Sequence, residues 1–594
     1  MNLRRGMCEK RHLARHKIFV SFHRSGKEKE RIESTEDVYT HTHTHTHTHT
    51  SFWRRDRMRL KSSFTGSLNS ILILQSNSLR KLKSNLIYRL HCPDSFASKL
   101  IRTMKQFVQR KLTTAFSYSA LVAMSTLVAC QEDSKTDAIT LQVPELKSYS
   151  VTPSLVKSLT GFDALQIHPL ISSDDKLDGS PNFVYGAQPD GSALIKDPNS
   201  DGYIMINNHE ILFSVSRLYL DKNLKPLKGE YIVDAAGGGM RLCSATMATP
   251  GEHGFGPVFL TAGESGAESM IHQINPFGSA NDKKLDRTLP ALGKCIAENA
   301  VPLPKEAFPG KTAILIGEDD SNGQVNLYVS NTVGDLSHGK LYMLRRKNLN
   351  TVETDMEVDK SYDVEFVEYD GVTHNTGAAL AAQTVAKNAI QFARVEDLDY
   401  GKGSADANRT IYFAATGVSQ ADKVTKVDGK TMWGRIYKLE LNPNDILKGK
   451  LTPLMDGVAD PGNHIVNPDN ICVTKNFVYI QEDGDSFYAN NKHDGRIWQY
   501  NIATKVMKPM LEMNHRRSDA TFNAKYNPAN STNLSSWEFG AMYDISELIG
   551  KPNTFVVNIH PHTWTDNKFA NADGSGLTTN KEGGQTLIIT GIDK

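Results

Sequence analysis

Five short polar clusters sit at the ends of apolar runs of this chain: Asn207-Asn208-His209-Glu210, Arg241-Leu242-Cys243, Gly317-Glu318-Asp319-Asp320, Arg394-Val395-Glu396-Asp397 and Gln481-Glu482-Asp483-Gly484. Each sets carboxylates, a thiol or a guanidinium where a strand would hand over to a loop, and side chains from distant segments can meet at such places. Several carboxylate oxygens suit a hard cation such as calcium, and a thiolate among carboxylates suits a softer transition ion. Glu318, Asp320, Glu396 and Asp483 supply such oxygens, and Cys243 supplies the sulfur. That much negative charge in one place must be offset by cations or by raised pKa values. Arg241 and Arg394 accompany the acids, and a guanidinium matches a phosphate through two parallel hydrogen bonds. The pattern reads as a multi-metal site that binds an oxyanion, and a phosphate ester bound there would be open to metal-assisted hydrolysis.

Taken singly, these residues have plainer readings. Glu482-Asp483 could be a solvated loop end, Arg394 and Glu396 a structural ion pair, Cys243 a buried thiol or the partner of Cys295, and His209 and His560 core histidines. Their recurrence in one structural frame is what lifts the set. From about Ser150 onward the apolar residues come in short runs rich in Val, Ile, Tyr and Phe, bounded by Gly, Asn, Asp and Pro, which is the signature of strands. Gly339-Lys340-Leu341-Tyr342, Gly434-Arg435-Ile436-Tyr437 and Gly495-Arg496-Ile497-Trp498 share a glycine, a base, an aliphatic and an aromatic in register. Partner strands precede them at Asn326–Ser330, Thr410–Ala414 and Phe477–Gln481, and two of the three units have a further strand opening at Glu396-Asp397 and at Pro468-Asp469-Asn470. Radial repetition of such antiparallel units makes an all-β propeller with insertions between blades, whose inner strand ends point into a central channel. A β-sandwich with chance internal similarity is the competing architecture.

In order along the chain, these clusters resemble the motifs of the PhoX-type alkaline phosphatases, a family of exported bacterial β-propeller enzymes. Asn208-His209-Glu210 is similar to its Asn-His-Glu, Arg241-Leu242-Cys243 to its Arg-Asn-Cys, and Leu260-Thr261-Ala262-Gly263-Glu264 to its Leu-Thr-Cys-Glu-Glu. Gly317 to Asp320, Arg394-Val395-Glu396, Pro468-Asp469-Asn470 and Asn558-Ile559-His560-Pro561 continue the series, with His562 where a glycine is usual. The resemblance implies iron and calcium as cofactors, held by Glu210, Cys243, Glu264, Glu318 or Asp320, Glu396, Asp469 and Asp483. It also implies that Arg241 and Arg394 grip phosphate, and that small phosphate monoesters are the substrates. Two other functions fit the same residues: a calcium-stabilised propeller that binds a partner without catalysis, and a calcium-dependent lactonase.

Composition divides the chain. Residues 1 to 103 carry 21 Lys/Arg against 8 Asp/Glu, whereas residues 130 to 594 carry 44 against 58. The acidic body, lacking a basic stripe, argues against nucleic acid as a partner. Met104 opens a basic stretch and an apolar run that ends in Leu127-Val128-Ala129-Cys130, which reads as a secretory signal over 104 to 129 and resembles a lipobox. It implies lipid on Cys130, a tether over 130 to 149 and a propeller domain over 150 to 594, exported and anchored to a membrane face without spanning it. A monomer is expected. The first 103 residues, with their alternating His-Thr tract, read as a spurious extension ahead of the true start.

Overall fold

A computed structural model describes residues 143–457, 464–483, 493–528 and 536–594. The extension, the signal segment, Cys130 and Gly484 lie outside the described residues. The described part is dominated by antiparallel sheet. Its first blade comprises Pro189–Lys196, Tyr203–His209, Ser214–Leu220 and Pro226–Val233, and its second Leu242–Ala248, Val258–Gly263 and His272–Ile274. The third runs through Ala297–Pro302, Thr312–Glu318, Val325–Ser330 and Lys340–Arg346, and the fourth through Val395–Tyr400, Thr410–Ala415, Arg435–Asn442 and Asp445–Asp456. These two are joined edge to edge by Tyr362–Glu368 into one nine-stranded sheet. The fifth blade holds Pro468–Val473, Phe477–Glu482, Arg496–Asn501 and Met507–Met513, with Val156–Ser158 along its edge. The sixth holds Glu538–Asp544, Thr554–His560 and Gln585–Thr590, and its outer edge is completed by Gln166–Ser172 from the start of the domain.

The first strand of each blade touches the first strand of the next, and that of the sixth returns to that of the first, so the blades close into a ring among the described residues. Burial follows from this placement. Inner strands such as Ala297–Pro302 and Pro468–Val473 are buried along their whole length, whereas the outer strand Tyr362–Glu368 alternates between covered and exposed positions. Successive side chains of a strand point to opposite faces, and each face meets a different neighbour. Leu315 packs between the third and fourth blades while Ile314 and Ile316 pack between the second and third. Tyr479 lies between the fifth and sixth, Val478 and Ile480 between the fourth and fifth. Ile588 packs with Leu194 and Met205 of the first blade, which seals the ring.

The chain thus has four strands in most units, one more than the three legible in the repeat. The interval between the first and second repeats, at Gly339 and Gly434, is filled by Tyr362–Glu368 and by the helix Gly377–Ala386. The acids after Ile314-Leu315-Ile316 and Tyr479-Ile480 end second strands, not inner ones. Because those strands run antiparallel to the inner strands, their ends lie at the mouth where the inner strands begin.

Ile588 is 1% exposed at the closing interface. Ile588→Ala is expected to lower the urea-unfolding free energy by about 2–5 kcal/mol. An effect below about 1 kcal/mol would mean that the sixth and first blades are not packed as described.

Candidate metal centre

Near the start of every inner strand, the ladder to the second strand slips. The shifts fall between Pro189 and Ser192, Leu242 and Ala245, Ala297 and Ala300, Val395 and Leu398, Pro468 and Ile471, and Phe539 and Met542. A bulge leaves extra residues out of the ladder and re-aims their side chains. The first bulged residues of the six blades are Asp190, Cys243, Glu298, Glu396, Asp469 and Gly540. Five of these six are metal-ligand types, and they meet. Ligand atoms of Asp190, Cys243 and Glu298 lie within 4.8 Å of one another, as do those of Glu298, Glu396 and Asp469. Cys243 also groups at the same spacing with Glu210 and Glu264, each of which follows a second strand. The sixth position is glycine because a Cβ there would stand 2.6 Å from His560 Nε2 and 3.0 Å from Asp190 Oδ1.

Guanidinium groups stand two residues ahead of two bulges. Arg394 Nε is 2.6 Å from Asp319 Oδ1, and its Nη2 lies 3.0 Å from Asp319 Oδ2 and 3.1 Å from Glu396. Its backbone has a φ of 63°, in the left-handed region that a non-glycine residue occupies at a cost of order 1–3 kcal/mol. Hydrogen bonds from its own N–H to the Asp320 carbonyl (3.0 Å) and from the Thr416 N–H to its carbonyl (2.9 Å) hold that conformation. Arg241 Nη1 lies 3.0 Å from Glu210 and 3.6 Å from Glu264. It lines a cavity of about 630 Å³ together with Glu264, Lys581 and Glu582.

Next to the first bulged residues, the second bulged residues link the inner strands by hydrogen bonds. Asn299 donates to Asp397 (2.6 Å), Asp397 accepts from the Ile471 N–H (3.1 Å), and Asn470 and Ser244 are hydrogen-bonded at 2.6 Å. A larger cavity of about 970 Å³ is lined by later inner-strand residues such as Leu194, Leu398 and Met542. It holds none of the grouped ligands, whereas Glu264 and Arg241 line the smaller cavity.

The electrostatics are those of a site built for cations. Asp190, Glu210, Glu264, Glu298, Asp319, Glu396, Asp469 and Asp483 are clustered by mutual interaction against two arginines. Burial, then Glu538 and other neighbouring acids, pushes Glu210 up to about 7. Burial and nearby carboxylates also raise Glu264, Glu298, Glu396 and Asp469 well above the ordinary range, and they raise the Cys243 thiol. Asp190 Oδ1, Glu264 Oε2, Glu298 Oε1 and Asp469 Oδ1 are buried without a hydrogen-bond partner. An orphaned buried oxygen carries a desolvation penalty of about 1–3 kcal/mol, more if charged, and a bound cation removes it. Carboxylate oxygens suit calcium, and the single sulfur suits a transition ion such as iron, so the donor set fits both.

The structure brings together Glu210, Cys243, Glu264, Glu396 and Asp469 from the sequence-derived set. Asp483 acts on Arg394 and Asp469 from the end of a second strand. Glu318 and Asp320 are not in these groups. Glu318 faces the other side, near Cys295 and Tyr369, and Asp320 caps its own turn by accepting from the Asn322 N–H at 2.8 Å. Asp319 between them is the one that reaches Arg394. Asp190 and Glu298 escaped the sequence reading, although the bulge motif seen at Glu396-Asp397 and Asp469-Asn470 recurs at Glu298-Asn299 and Asp190-Gly191. Cys243, Cys295 and Cys472 are free thiols, so Cys243 does not pair with Cys295. His209 is a core histidine, bonded to Ser216 at 2.7 Å and pushed down to about 3 by burial.

No family model and no curated protein matches the sequence. Among solved structures, the chain is similar to Pseudomonas fluorescens PhoX in complex with vanadate, a transition state analogue, at 14% identity over 75% of this chain and 98% of that one, with a TM-score of 0.51. It also matches the PQQ-bound aldose sugar dehydrogenase of Streptomyces coelicolor at 10% identity over 72% and 98% of the two chains (TM-score 0.31). A third match is an arabinofuranosidase of Fusarium graminearum, at 8% identity over 71% and 98% (TM-score 0.33). The first likeness is one of fold: the chain is a β-propeller related in architecture to PhoX.

Glu298 belongs to two ligand groups and Glu318 to none. Glu298→Gln is expected to weaken metal retention by at least the ~10–100-fold that losing an outer partner costs, whereas Glu318→Gln leaves it unchanged. Elemental analysis of the dialysed variants checks this, and equal losses would contradict the assignment.

Proposed function

We propose that this protein is a metal-dependent phosphatase that hydrolyses phosphate monoesters at the mouth of the propeller channel, with iron and calcium held by Asp190, Glu210, Cys243, Glu264, Glu298, Glu396 and Asp469. The observation that carries the reading is the pairing of two guanidinium groups with a cluster of orphaned carboxylates and one thiol, of which Arg241 and Glu264 line a cavity of about 630 Å³. A PhoX structure with bound vanadate shares the fold, which supports the same substrate class here.

The chain's own residues divide the task. Arg394 commits Nε and Nη2 to Asp319 and Glu396, which leaves Nη1 as the donor to a phosphate oxygen. Arg241 is 42% exposed on its side chain and offers its guanidinium to the cavity from the opposite set of acids, Glu210 and Glu264. Planar donors fixed in this way suit an oxyanion whose charge grows during transfer. The bound ions would polarise the ester and neutralise its charge. Burial and the neighbouring acids raise Cys243, Glu264, Glu298 and Glu396, so cations held among them would compete with protons. Export and anchoring through an acylated Cys130 belong to the same proposal and rest on the Leu127-Val128-Ala129-Cys130 sequence.

The test is turnover of a chromogenic phosphate monoester at alkaline pH by protein loaded with iron and calcium. Orthovanadate is expected to inhibit, and Arg241→Ala to lower kcat/KM on the order of 10²–10³-fold while retaining metal. Fully loaded protein that leaves phosphate esters untouched would overturn the reading.

A further inference from the structure

A second ligand set lies beside the first; it shares none of its atoms, although His560 Nδ1 is 3.8 Å from Glu210 Oε2. Glu538 opens the inner strand of the sixth blade, and His560 ends the second strand directly opposite it in the ladder. Residues facing each other in an antiparallel pair bring their Cβ atoms to about 4.5–5.5 Å, so the sheet itself positions these two. His562 follows two residues later, beyond a turn closed by its N–H donating to the His560 carbonyl at 3.1 Å. Ligand atoms of Glu538, His560 and His562 lie within 4.8 Å of one another. His562 Nε2 is 3.0 Å from Glu538 Oε2, and His560 Nδ1 is 3.4 Å from the same oxygen.

The outer atoms of both rings are already occupied. His560 Nε2 lies 3.0 Å from the Pro189 carbonyl, an acceptor only, so that nitrogen must carry the proton and donate. In the neutral ring, Nδ1 then holds a bare lone pair. That Nδ1 is buried and has no hydrogen-bond partner, and the residue is fully shielded from solvent. His562 Nδ1 lies 3.1 Å from Glu582 Oε2, and Gln188 donates to the same carboxylate oxygen at 2.8 Å; the Gln188 Nε2 is also 3.0 Å from His562 Nδ1. His562 thus stands between two carboxylates that can only accept, Glu582 at Nδ1 and Glu538 at Nε2; release of the Nε2 proton would free that lone pair for a cation. In the ion-free protein both rings carry protons toward Glu538, which, against the lowering effect of burial, raises His560 to about 9 and His562 well above its ordinary value; a divalent cation held by the same three atoms would take the place of those protons. Outer hydrogen bonds from ligand histidines to a carbonyl or carboxylate are the arrangement that orients imidazoles on metals.

The geometry points to Glu538, His560 and His562 as a separate site for a divalent transition ion of zinc type, in the two-histidine, one-carboxylate set that leaves a coordination position for solvent or ligand. The neighbouring Glu582 lines the cavity that also holds Arg241 and Glu264. The site is sulfur-free, and it stands whether or not the Cys243 cluster hydrolyses phosphate esters.

X-ray absorption at the zinc edge of protein loaded with zinc reads the site directly. Expected is a nitrogen and oxygen shell with the scattering of two imidazoles, present in wild type and in Cys243→Ser, and lost together with one equivalent of zinc in His562→Ala. Glu582→Gln is expected to weaken zinc binding by about 10–100-fold without loss of fold by circular dichroism. If His562→Ala does not fold, the spectra of wild type and Cys243→Ser and the zinc affinity of Glu582→Gln still decide the matter. Zinc bound only in a sulfur-containing shell, or ring nitrogens that remain doubly protonated against Glu538 in excess zinc by NMR, would overturn the proposal.

Discussion

Everything distinctive in this molecule depends on one irregularity repeated around a ring, the slipped register at the start of each inner strand. In a regular ladder, successive side chains of an inner strand would point alternately into the two neighbouring blade interfaces, where only apolar groups are stable. The bulge takes a residue out of that alternation. With it, Asp190, Cys243, Glu298, Glu396 and Asp469 come from five different blades to within ligand spacing of their neighbours. The ends of the second strands add Glu210, Glu264, Asp319 and Asp483 at the same mouth.

Such a gathering of acids works against folding, because each carboxylate is desolvated beside others of the same sign. Two features of the scaffold tolerate it. Apolar clusters fill the interfaces between neighbouring blades around the ring, and each fully buried aliphatic side chain contributes about 1.5–3 kcal/mol. The hydrogen bonds among Ser244, Asn299, Asp397 and Asn470 then tie the inner strands together next to the acids. Local strain at Arg394, with its left-handed backbone, fits the general finding that rules are broken where function is placed.

Much of this was legible from residue order. The short Val/Ile/Tyr/Phe runs gave the strands, and the Gly-base-aliphatic-aromatic repeat marked the third, fourth and fifth blades. The first and sixth blades lack that repeat, as Ser214–Leu220 and Gln585–Thr590 illustrate, so their inner strands went unrecognised and Asp190 and Glu538 with them. Asp190 also sits in Gln188-Pro189-Asp190-Gly191, whose composition reads as a turn. Glu298 is separated from the Ile314 run by a connection carrying Pro302, Pro304 and Pro309, which hides that the two strands pair. The choice among Glu318, Asp319 and Asp320 needed the register, because one position along a strand reverses the face. His560 and His562 are both visible in the closing motif, but their grouping with Glu538 is not, because Glu538 lies on the neighbouring strand of the sheet.

Anomalous diffraction at the iron and calcium edges, from crystals of protein purified without chelator, addresses the central claim directly. Peaks are expected among Cys243 Sγ and the carboxylates of Glu298, Glu396 and Asp469, with the bulged residues of the first five blades as ligands. Bulge side chains turned away from one another, with no anomalous density among them in metal-replete crystals, would contradict it.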